Sequence, residues 1–211
     1  GYWEENYKEW PLFVENGIAN EWQANRFFNF DPITGIGGNV WLSPPFPAAV
    51  ISETATTKTL MNGDGLLAEI PKDGHSTIPH YTKASVVTPD DWKRCKEERL
   101  RRDDPARRVD IAKLKAAHPE SRTYPLGVGC GSMIGKIRDM LTFEGLAYAV
   151  YDYPEMVEDM VETACQLVLH ALEQILPHVT FDYASGWEDI CFKNGPIVSV
   201  PFFRDIVMPR Y

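Results

Sequence analysis

The stretch YPLGVGCGS at residues 124–132 decides the fold, because an apolar run leads directly into a turn rich in glycine. The run predicts a buried strand over residues 124–129. The residues that follow the glycines predict a helix over residues 133–143. A strand that passes through a tight turn into a helix is the first half of an α/β unit.

The chain after this unit continues the same pattern. Residues 154–176 predict the longest helix, since apolar side chains recur every three or four residues between Pro154 and Pro177. The segment VTFDYA at residues 179–184 predicts a second short strand. Strand, helix, helix and strand in this order place the chain in the α/β class.

The first 120 residues predict a different, less regular arrangement. The opening segment favours a helix that Pro11 kinks or restarts and that stops at Gly17, and a second short helix is predicted over residues 21–30. Residues 35–59 favour extended chain. The Asn-Gly and Asp-Gly pairs at residues 62–65 tolerate a positive φ and therefore predict a β-hairpin.

A basic segment lies in the middle of the chain. The run TPDDW at residues 88–92 carries a capping threonine, an early proline and two acids, and predicts the start of a helix. Residues 93–108 then contain eight basic and four acidic residues. A solvated pair of surface helices, broken at Pro105, is favoured over an anion or RNA patch because the run has almost no interleaved aromatic residues.

The composition is that of an ordinary globular protein, with 211 residues of which 44% are hydrophobic and 24% are charged. The chain has 30 acidic and 21 basic residues, and the resulting net charge of −9 argues against a general nucleic-acid binder. The sequence has neither a signal-peptide pattern nor an apolar run of the ~18–20 residues that a membrane span needs. Four widely spaced cysteines predict reduced thiols and a cytoplasmic location.

The loop SGWEDI at residues 185–190 is the strongest candidate site. It places the adjacent carboxylates of Glu188 and Asp189 beside an indole, just past the end of a predicted strand, where α/β barrels carry their chemistry. Adjacent carboxylates repel, which raises one pKa toward that of a general acid or creates a metal or cation site. A loop whose acids cap backbone amides and whose Trp187 packs is an equally good interpretation.

The glycine cluster at residues 127–131 is a weaker candidate. Its position between a strand and a helix would let backbone amides face an anion, although the spacing matches no phosphate-loop pattern. A tight turn that needs small residues is the favoured interpretation. No CxxC or HExxH pattern supplies a metal site, and no GxSxG pattern supplies a serine nucleophile.

Taken together, these segments resemble the uroporphyrinogen decarboxylase superfamily, and more closely its corrinoid-dependent methyltransferase-like branch. The likeness covers nearly the whole chain and is strongest from Tyr124 onward. Each motif is weak alone, and their order and spacing carry the resemblance. The matching segments are GYWEE (1–5) with Trp10 and Gly17, NFD (29–31), VTPDDW (87–92), YDYPE (151–155), WED (187–189), NGPIVS (194–199), Phe203, Pro209 and Tyr211.

The resemblance implies part of a (β/α)8 TIM barrel with its cleft at the carboxyl ends of the strands, preceded by an N-terminal helical and β-hairpin region. Residues 1–120 would form that region and residues 121–211 the first barrel units, within one incomplete domain. By position in the pattern, Glu188 and Asp189 would be catalytic. The substrate-binding residues would be Asp182, Tyr183, Trp187, Gly129 and Trp3.

The resemblance leaves the activity open between methyl transfer involving a corrinoid or other one-carbon carrier and uroporphyrinogen decarboxylation. The arginine-rich N-terminal segment of the decarboxylases has no counterpart here, since Arg26 is isolated. The His-x-Cys and later Cys that hold zinc in the methyltransferases would lie beyond Tyr211. The resemblance therefore implies no cofactor within this chain, with zinc and a corrinoid protein as partners of the complete protein.

A non-enzymatic function is the further alternative. A chain that is an incomplete copy of the barrel would carry part of the cleft and expose the edges of its strands. Such a chain would act as a binding or assembly module or have no independent function, and its exposed edges would invite self-association.

Overall fold

The computed structural model of the chain describes residues 1–31, 33–73 and 79–211. The fold is mixed α/β, as predicted, and no helix among these residues is long and apolar enough to cross a membrane. The strands are β1 (Thr34–Ile36), β2 (Ala49–Glu53), β3 (Thr57–Met61), β4 (Leu67–Pro71), β5 (His80–Lys83), β6 (Leu126–Gly129), β7 (Tyr183–Ser185), β8 (Cys191–Phe192) and β9 (Gly195–Pro196).

The strands form three sheets, and the helical segments include three short irregular turns. The α-helices are α1 (Glu4–Glu9), α2 (Pro11–Glu15), α3 (Glu21–Phe27), α4 (Pro89–Arg99), α5 (Ile111–Ala117), α6 (Gly135–Leu141), α7 (Phe143–Asp152), α8 (Pro154–Ile175) and α9 (Val200–Phe202). The 3-10 turns are Pro105–Arg107 and Met208–Arg210, and a π-helical turn covers Phe203–Val207.

A three-stranded parallel sheet positions the candidate site. Its order is β1-β6-β7, so consecutive parallel strands lie side by side. Leu126 and Val128 of β6 are buried. Gly127 faces the other side, where the Tyr183 ring lies so close that a Cβ would overlap it. Within the described residues this sheet is open, and a closed barrel is not seen.

Both strands predicted for this sheet are present, but their bounds differ from the prediction. The strand predicted over residues 124–129 is β6, and the one predicted over residues 179–184 is β7. The second one begins at Tyr183 because Arg122 draws residues 180–182 out of the ladder, donating to the Thr180 carbonyl and to the Asp182 carboxylate. The Asp182 amide alone continues the pairing, donating to the Leu126 carbonyl. Strand β1 is three residues long with glycine at its centre; its last two residues lie in the predicted extended segment, but its pairing with β6 was not predicted.

A four-stranded antiparallel meander, β2-β3-β4-β5, lies between β1 and β6 in the chain. The predicted hairpin is confirmed between β3 and β4. The Asn62 side-chain oxygen accepts from the amides of Asp64 and Leu66, and Gly65 has a φ of +82°, so the turn is built by the residues that predicted it. Only parts of residues 35–59 form strands, namely the end of β1, β2 and the start of β3.

Helix α8 supplies the largest share of the core, and its predicted apolar face is confirmed. It packs with α6 and α7 in one hydrophobic core and buries residues at three- and four-residue intervals. Burial of each valine, leucine, isoleucine or methionine side chain on this face stabilises the fold by about 1.5–3 kcal/mol. Fully or nearly fully buried on this helix are Val157, Met160, Val161, Ala164, Leu167, Val168, Ala171 and Ile175.

The helix predicted over residues 133–143 is confirmed as α6, which is shorter than predicted because it spans Gly135–Leu141, and a further helix, α7, begins at Phe143. Thr142 has a φ of 70° and ends α6. Its hydroxyl then accepts from the Gly145 amide and caps α7. The N-terminal helix breaks at Pro11 into α1 and α2 as predicted, and α3 ends before residue 30 because Asn29 has a φ of 52°.

Of the predicted pair of surface helices broken at Pro105, the first is confirmed as α4, which ends at Arg99, whereas the second is only the 3-10 turn Pro105–Arg107. The caps of α4 agree with the sequence, since Thr88 accepts from the Asp91 amide and Asp91 accepts from the Thr88 amide. Lys96 pairs with Asp159 at 2.6 Å. Arg107 is 2% exposed and donates to three backbone carbonyls, so it holds the turn in place.

Candidate functional site

The loop after β7 is fastened to the glycine turn after β6 at the carboxyl edge of the parallel sheet. The Cys130 amide donates to the Ser185 carbonyl at 2.7 Å, and the Trp187 amide donates to the Gly131 carbonyl at 3.2 Å. Gly131 has a φ of +68°, which favours glycine at the turn. Residues 54 or more positions apart in the chain thus form one surface.

Glu188 caps the start of α6. Its carboxylate accepts from the backbone amides of Met133 at 2.6 Å, Ile134 at 2.9 Å and Gly135 at 2.8 Å. The Ser132 hydroxyl donates to the same carboxylate at 3.2 Å. The first amides of a helix have no partner within it, and a carboxylate also suits its positive end. Glu188 therefore satisfies four donors and holds the loop to the helix.

The backbone amides just after the glycine turn thus face an anion that is a side chain of the protein itself. Gly135 makes this close approach possible, because a Cβ there would lie 2.5 Å from the Trp187 ring and 2.8 Å from the Glu188 carbonyl oxygen. Of the two interpretations of the loop, these contacts correspond to the one in which acids cap backbone amides. The catalytic role of Glu188 stays a prediction.

Asp189 is held by an arginine that sequence analysis missed. Its carboxylate lies 2.6 Å from Arg138 of α6, which also donates to the Asp189 carbonyl. Asp189 has a φ of 44°, so two contacts to one guanidinium stabilise a backbone conformation that aspartate rarely adopts. Burial lowers the pKa of Arg138, but the hydrogen bonds that Arg138 donates to Asp189 and Asp139 outweigh it and raise the pKa overall.

Trp187 is the half-exposed member of the loop, with 42% of its surface accessible. Lys136 lies 5.7 Å and Arg138 6.0 Å from its ring centroid, within cation–π range. The indole is therefore fixed on the α6 side and open on the other. The Ser185 hydroxyl is exposed, and the described residues offer it no hydrogen-bond partner.

The remaining predicted site residues are not brought together with this loop, except for one. Gly129 pairs with Ser185 and lies at the same edge. Asp182 lies at the opposite, amino end of β7, where it accepts from the Leu126 amide and from Arg122. The hydrogen bond from Leu126, and then that from Arg122, lower the pKa of Asp182. Its role is therefore to fasten two strands at their amino ends.

Tyr183 and Trp3 also serve elsewhere. The Tyr183 ring crosses the central strand, and its hydroxyl donates to the Thr34 carbonyl at 3.0 Å, so it joins the two outer strands. Trp3 is 55% exposed at the start of α1, where its amide donates to Asn6. Its described contacts stay within the N-terminal helices.

Among the described residues, no group of three or more His, Cys, Asp and Glu could hold a metal ion. The zinc that the resemblance implies therefore has no fitting donor set in residues 1–31, 33–73 and 79–211. The four cysteines are free. Cys95 is buried, and burial raises the pKa of its thiol to about 11, which makes it a poor ligand.

The sequence could have revealed some of the residues it missed. Ser132 and Lys136 lie just after the glycines, where a helix start was predicted, and Ser132 is a residue type typical of such starts. Nothing in the spacing links them or Arg138 to the loop. Comparison with family models, with curated proteins and with solved structures gave no match to this chain.

Proposed function

We propose that the chain forms part of a (β/α)8 barrel of the uroporphyrinogen decarboxylase type, and that its carboxyl-edge site takes part in methyl transfer involving a corrinoid or another one-carbon carrier. One observation carries the proposal. The loop after β7 closes over the glycine turn after β6, at the same edge of a parallel sheet. Loops that follow neighbouring parallel strands are where α/β barrels bind substrates.

The strand order supports the barrel part of the proposal. Strands β1, β6 and β7 are parallel, and each lies beside the strand that follows it in this sheet. The chain between β6 and β7 is helical, as in a (β/α) unit. Parallel sheets are covered on both faces in most proteins. The face that carries Gly127 and Tyr183 would then be the inner face of the barrel.

Glu188 and Asp189 are positioning residues in this proposal. Glu188 already accepts four hydrogen bonds, and Asp189 is paired with Arg138. The groups that remain to face a ligand are the Trp187 indole, the Ser185 hydroxyl and the Lys136 ammonium beside the indole. The half-exposed indole offers an apolar surface of the kind that suits a methyl group.

The arginines favour methyl transfer over uroporphyrinogen decarboxylation. The carboxylates of a tetrapyrrole would need guanidinium partners. Arg138, beside the loop, is paired with Asp189 and Asp139. Arg26 lies over the Trp22 ring in the N-terminal helices, at 4.8 Å. No step is assigned to zinc, because the described residues offer no donor set for it.

The test measures methyl transfer by the whole chain. The protein is incubated with methylcobalamin and a low-molecular-weight thiol, and the thioether product is measured by mass spectrometry against a protein-free control. We expect thioether above background, and at least a tenfold loss in Trp187→Ala. The matched control is Trp22→Ala, an exposed tryptophan of α3 far from the loop in sequence, which should keep the parent rate.

Absence of product above the protein-free background would overturn the proposal. Uroporphyrinogen turnover without cobalamin, measured in parallel as carbon dioxide release, would replace it with decarboxylation. Neither activity, together with concentration-dependent association in light scattering, would replace it with a binding or assembly module. Equal loss in Trp187→Ala and Trp22→Ala would remove the loop from the site.

A further inference from the structure

A second cavity lies between the edge strand β5 and helix α7, outside the carboxyl-edge site. Its volume is about 490 Å³, which falls in the range of small-molecule sites. Tyr81 and Lys83 of β5 form one wall, since alternate residues of a strand face the same side. Leu141 and Val86 contribute an apolar floor, and both are buried.

Helix α7 forms the other wall with an alternating acidic and aromatic stripe. Glu144, Tyr148 and Asp152 are spaced by four residues, so they lie along one helix face over about 12 Å. Tyr153 follows at the end of the stripe. The cavity is thus bordered by three tyrosines and two carboxylates.

These polar groups are not used by the fold. Within the part of the chain that the structure describes, no hydrogen bond or ion pair engages the side chains of Glu144, Asp152, Lys83, Tyr148 or Tyr153. Most surface carboxylates near the other site are paired, as Asp189 and Asp139 are with Arg138. A cavity with unpaired carboxylates and accessible aromatic rings is typical of sites for organic cations.

The surrounding charge is negative. The lining carries two carboxylates against the one ammonium of Lys83. Burial, followed by the nearby charges of Asp139 and Asp64, raises the pKa of Tyr81, and the positive charge of Arg138 opposes that rise.

We propose that the cavity between β5 and α7 binds a small organic cation, an amine or quaternary ammonium compound. The cation would lie against the face of Tyr148, between Glu144 and Asp152, with Tyr81 opposite. Lys83 would oppose it and so limit the affinity. The proposal is independent of methyl transfer at the carboxyl edge, since it uses none of the residues of that site.

The probe is choline, compared with 3,3-dimethylbutan-1-ol, which has the same shape with carbon in place of the charged nitrogen. Both are titrated into the ¹⁵N-labelled full chain, and amide chemical shifts are followed. We expect a Kd for choline of about 1–10 mM, as for a small ligand in an open site. The neutral isostere should bind about tenfold more weakly.

Three variants test the assignment, each with the unfolding midpoint measured. Tyr148→Ala should weaken choline binding about three- to tenfold. The control Tyr151→Ala removes a 78%-exposed tyrosine of the same helix that is not part of the lining, and should change the Kd less than twofold. Glu144→Gln with Asp152→Asn should weaken binding about three- to tenfold and reduce its dependence on salt.

Lys83→Gln separates a cation site from an anion site. Loss of the ammonium should tighten choline binding about two- to fivefold, whereas an anion would bind more weakly. The proposal is overturned by equal binding of choline and its neutral isostere, by equal effects of Tyr148→Ala and Tyr151→Ala, or by no shift change at 50 mM choline. Weaker choline binding in Lys83→Gln would also overturn it.

Discussion

The two acidic regions of the molecule differ in what their carboxylates contact. In the loop after β7, Glu188 and Asp189 accept hydrogen bonds from residues at α6, so both carboxylates already have partners within the protein. Along α7, Glu144 and Asp152 face a cavity and have no partner among the described residues. In the sequence, the adjacent carboxylates of Glu188 and Asp189 indicate a candidate site, whereas the separated carboxylates of Glu144 and Asp152 do not. Structural carboxylates are thus distinguished from carboxylates that are free to bind a ligand by their hydrogen bonds and ion pairs in the folded protein, and not by their spacing in the sequence.

The largest expected effect is from Glu188→Ala. The substitution leaves three backbone amides and the Ser132 hydroxyl without their acceptor at the start of α6. We expect the free energy of unfolding to fall by about 2–4 kcal/mol, because unpaired donors that are partly buried cost about 1–3 kcal/mol each and some regain water. Urea denaturation followed by circular dichroism measures the change.

The control for this variant is Glu144→Ala on α7, which removes an unpaired and exposed carboxylate. Its effect should stay within about 0.5 kcal/mol. Similar losses in the two variants would contradict the distinction between structural and free acids. The loss of stability in Glu188→Gln should lie between those of the two alanine variants, because the glutamine side chain keeps one oxygen that accepts hydrogen bonds.

Gly135→Ala is expected to have the next largest effect. A Cβ would lie 2.5 Å from the Trp187 ring and 2.8 Å from the Glu188 carbonyl oxygen, and the latter belongs to the backbone. The loop must therefore shift away from α6, at about 1–3 kcal/mol. Unfolding by urea gives the loss, and tryptophan fluorescence reports the displaced indole.

Gly145→Ala is the matched glycine control, since it lies in α7 and a Cβ there would meet atoms only at 3.4 Å and beyond. Alanine should stabilise that helix by about 0.5–1 kcal/mol, because it restricts the unfolded chain. If both alanine variants are destabilised, the idea that Gly135 is needed for the close approach of the loop to α6 would be contradicted.

How far the sequence predicts these regions depends on the range of the interactions. Helix α8 and the hairpin turn at Asn62 were predictable, because periodic apolar residues and turn-forming residues act locally. The break at Thr142 was not, since a positive φ there is unusual for a β-branched residue. The partners of Glu188 lie more than 50 positions away, and spacing within the loop carries no information about them.

Asp182 tests the same distinction through pH. Its folded-state pKa is lowered by the Leu126 amide and Arg122, so its contribution is present above the unfolded pKa and lost as the pH falls through the folded one. We expect Asp182→Asn to lower stability at pH 6, and the gap to the parent to narrow below about pH 4. Urea denaturation between pH 3 and 6 measures the gap. A pH-independent difference would mean that the ionised carboxylate does not fasten the strands.

The smallest expected effect on stability is that of Tyr148→Ala. This variant tests whether the cavity stripe on α7 contributes to the fold, as the carboxylates of the loop after β7 do. Tyr148 is 63% exposed and its hydroxyl has no partner among the described residues, so its removal should change the free energy of unfolding by less than about 0.5 kcal/mol. Alanine also favours the helix. Urea denaturation beside the Tyr151→Ala control measures this. A loss of more than 1 kcal/mol in the free energy of unfolding would show that the stripe on α7 stabilises the fold. A side chain that only binds a ligand contributes little to the stability of the free protein, so its removal should not produce such a loss.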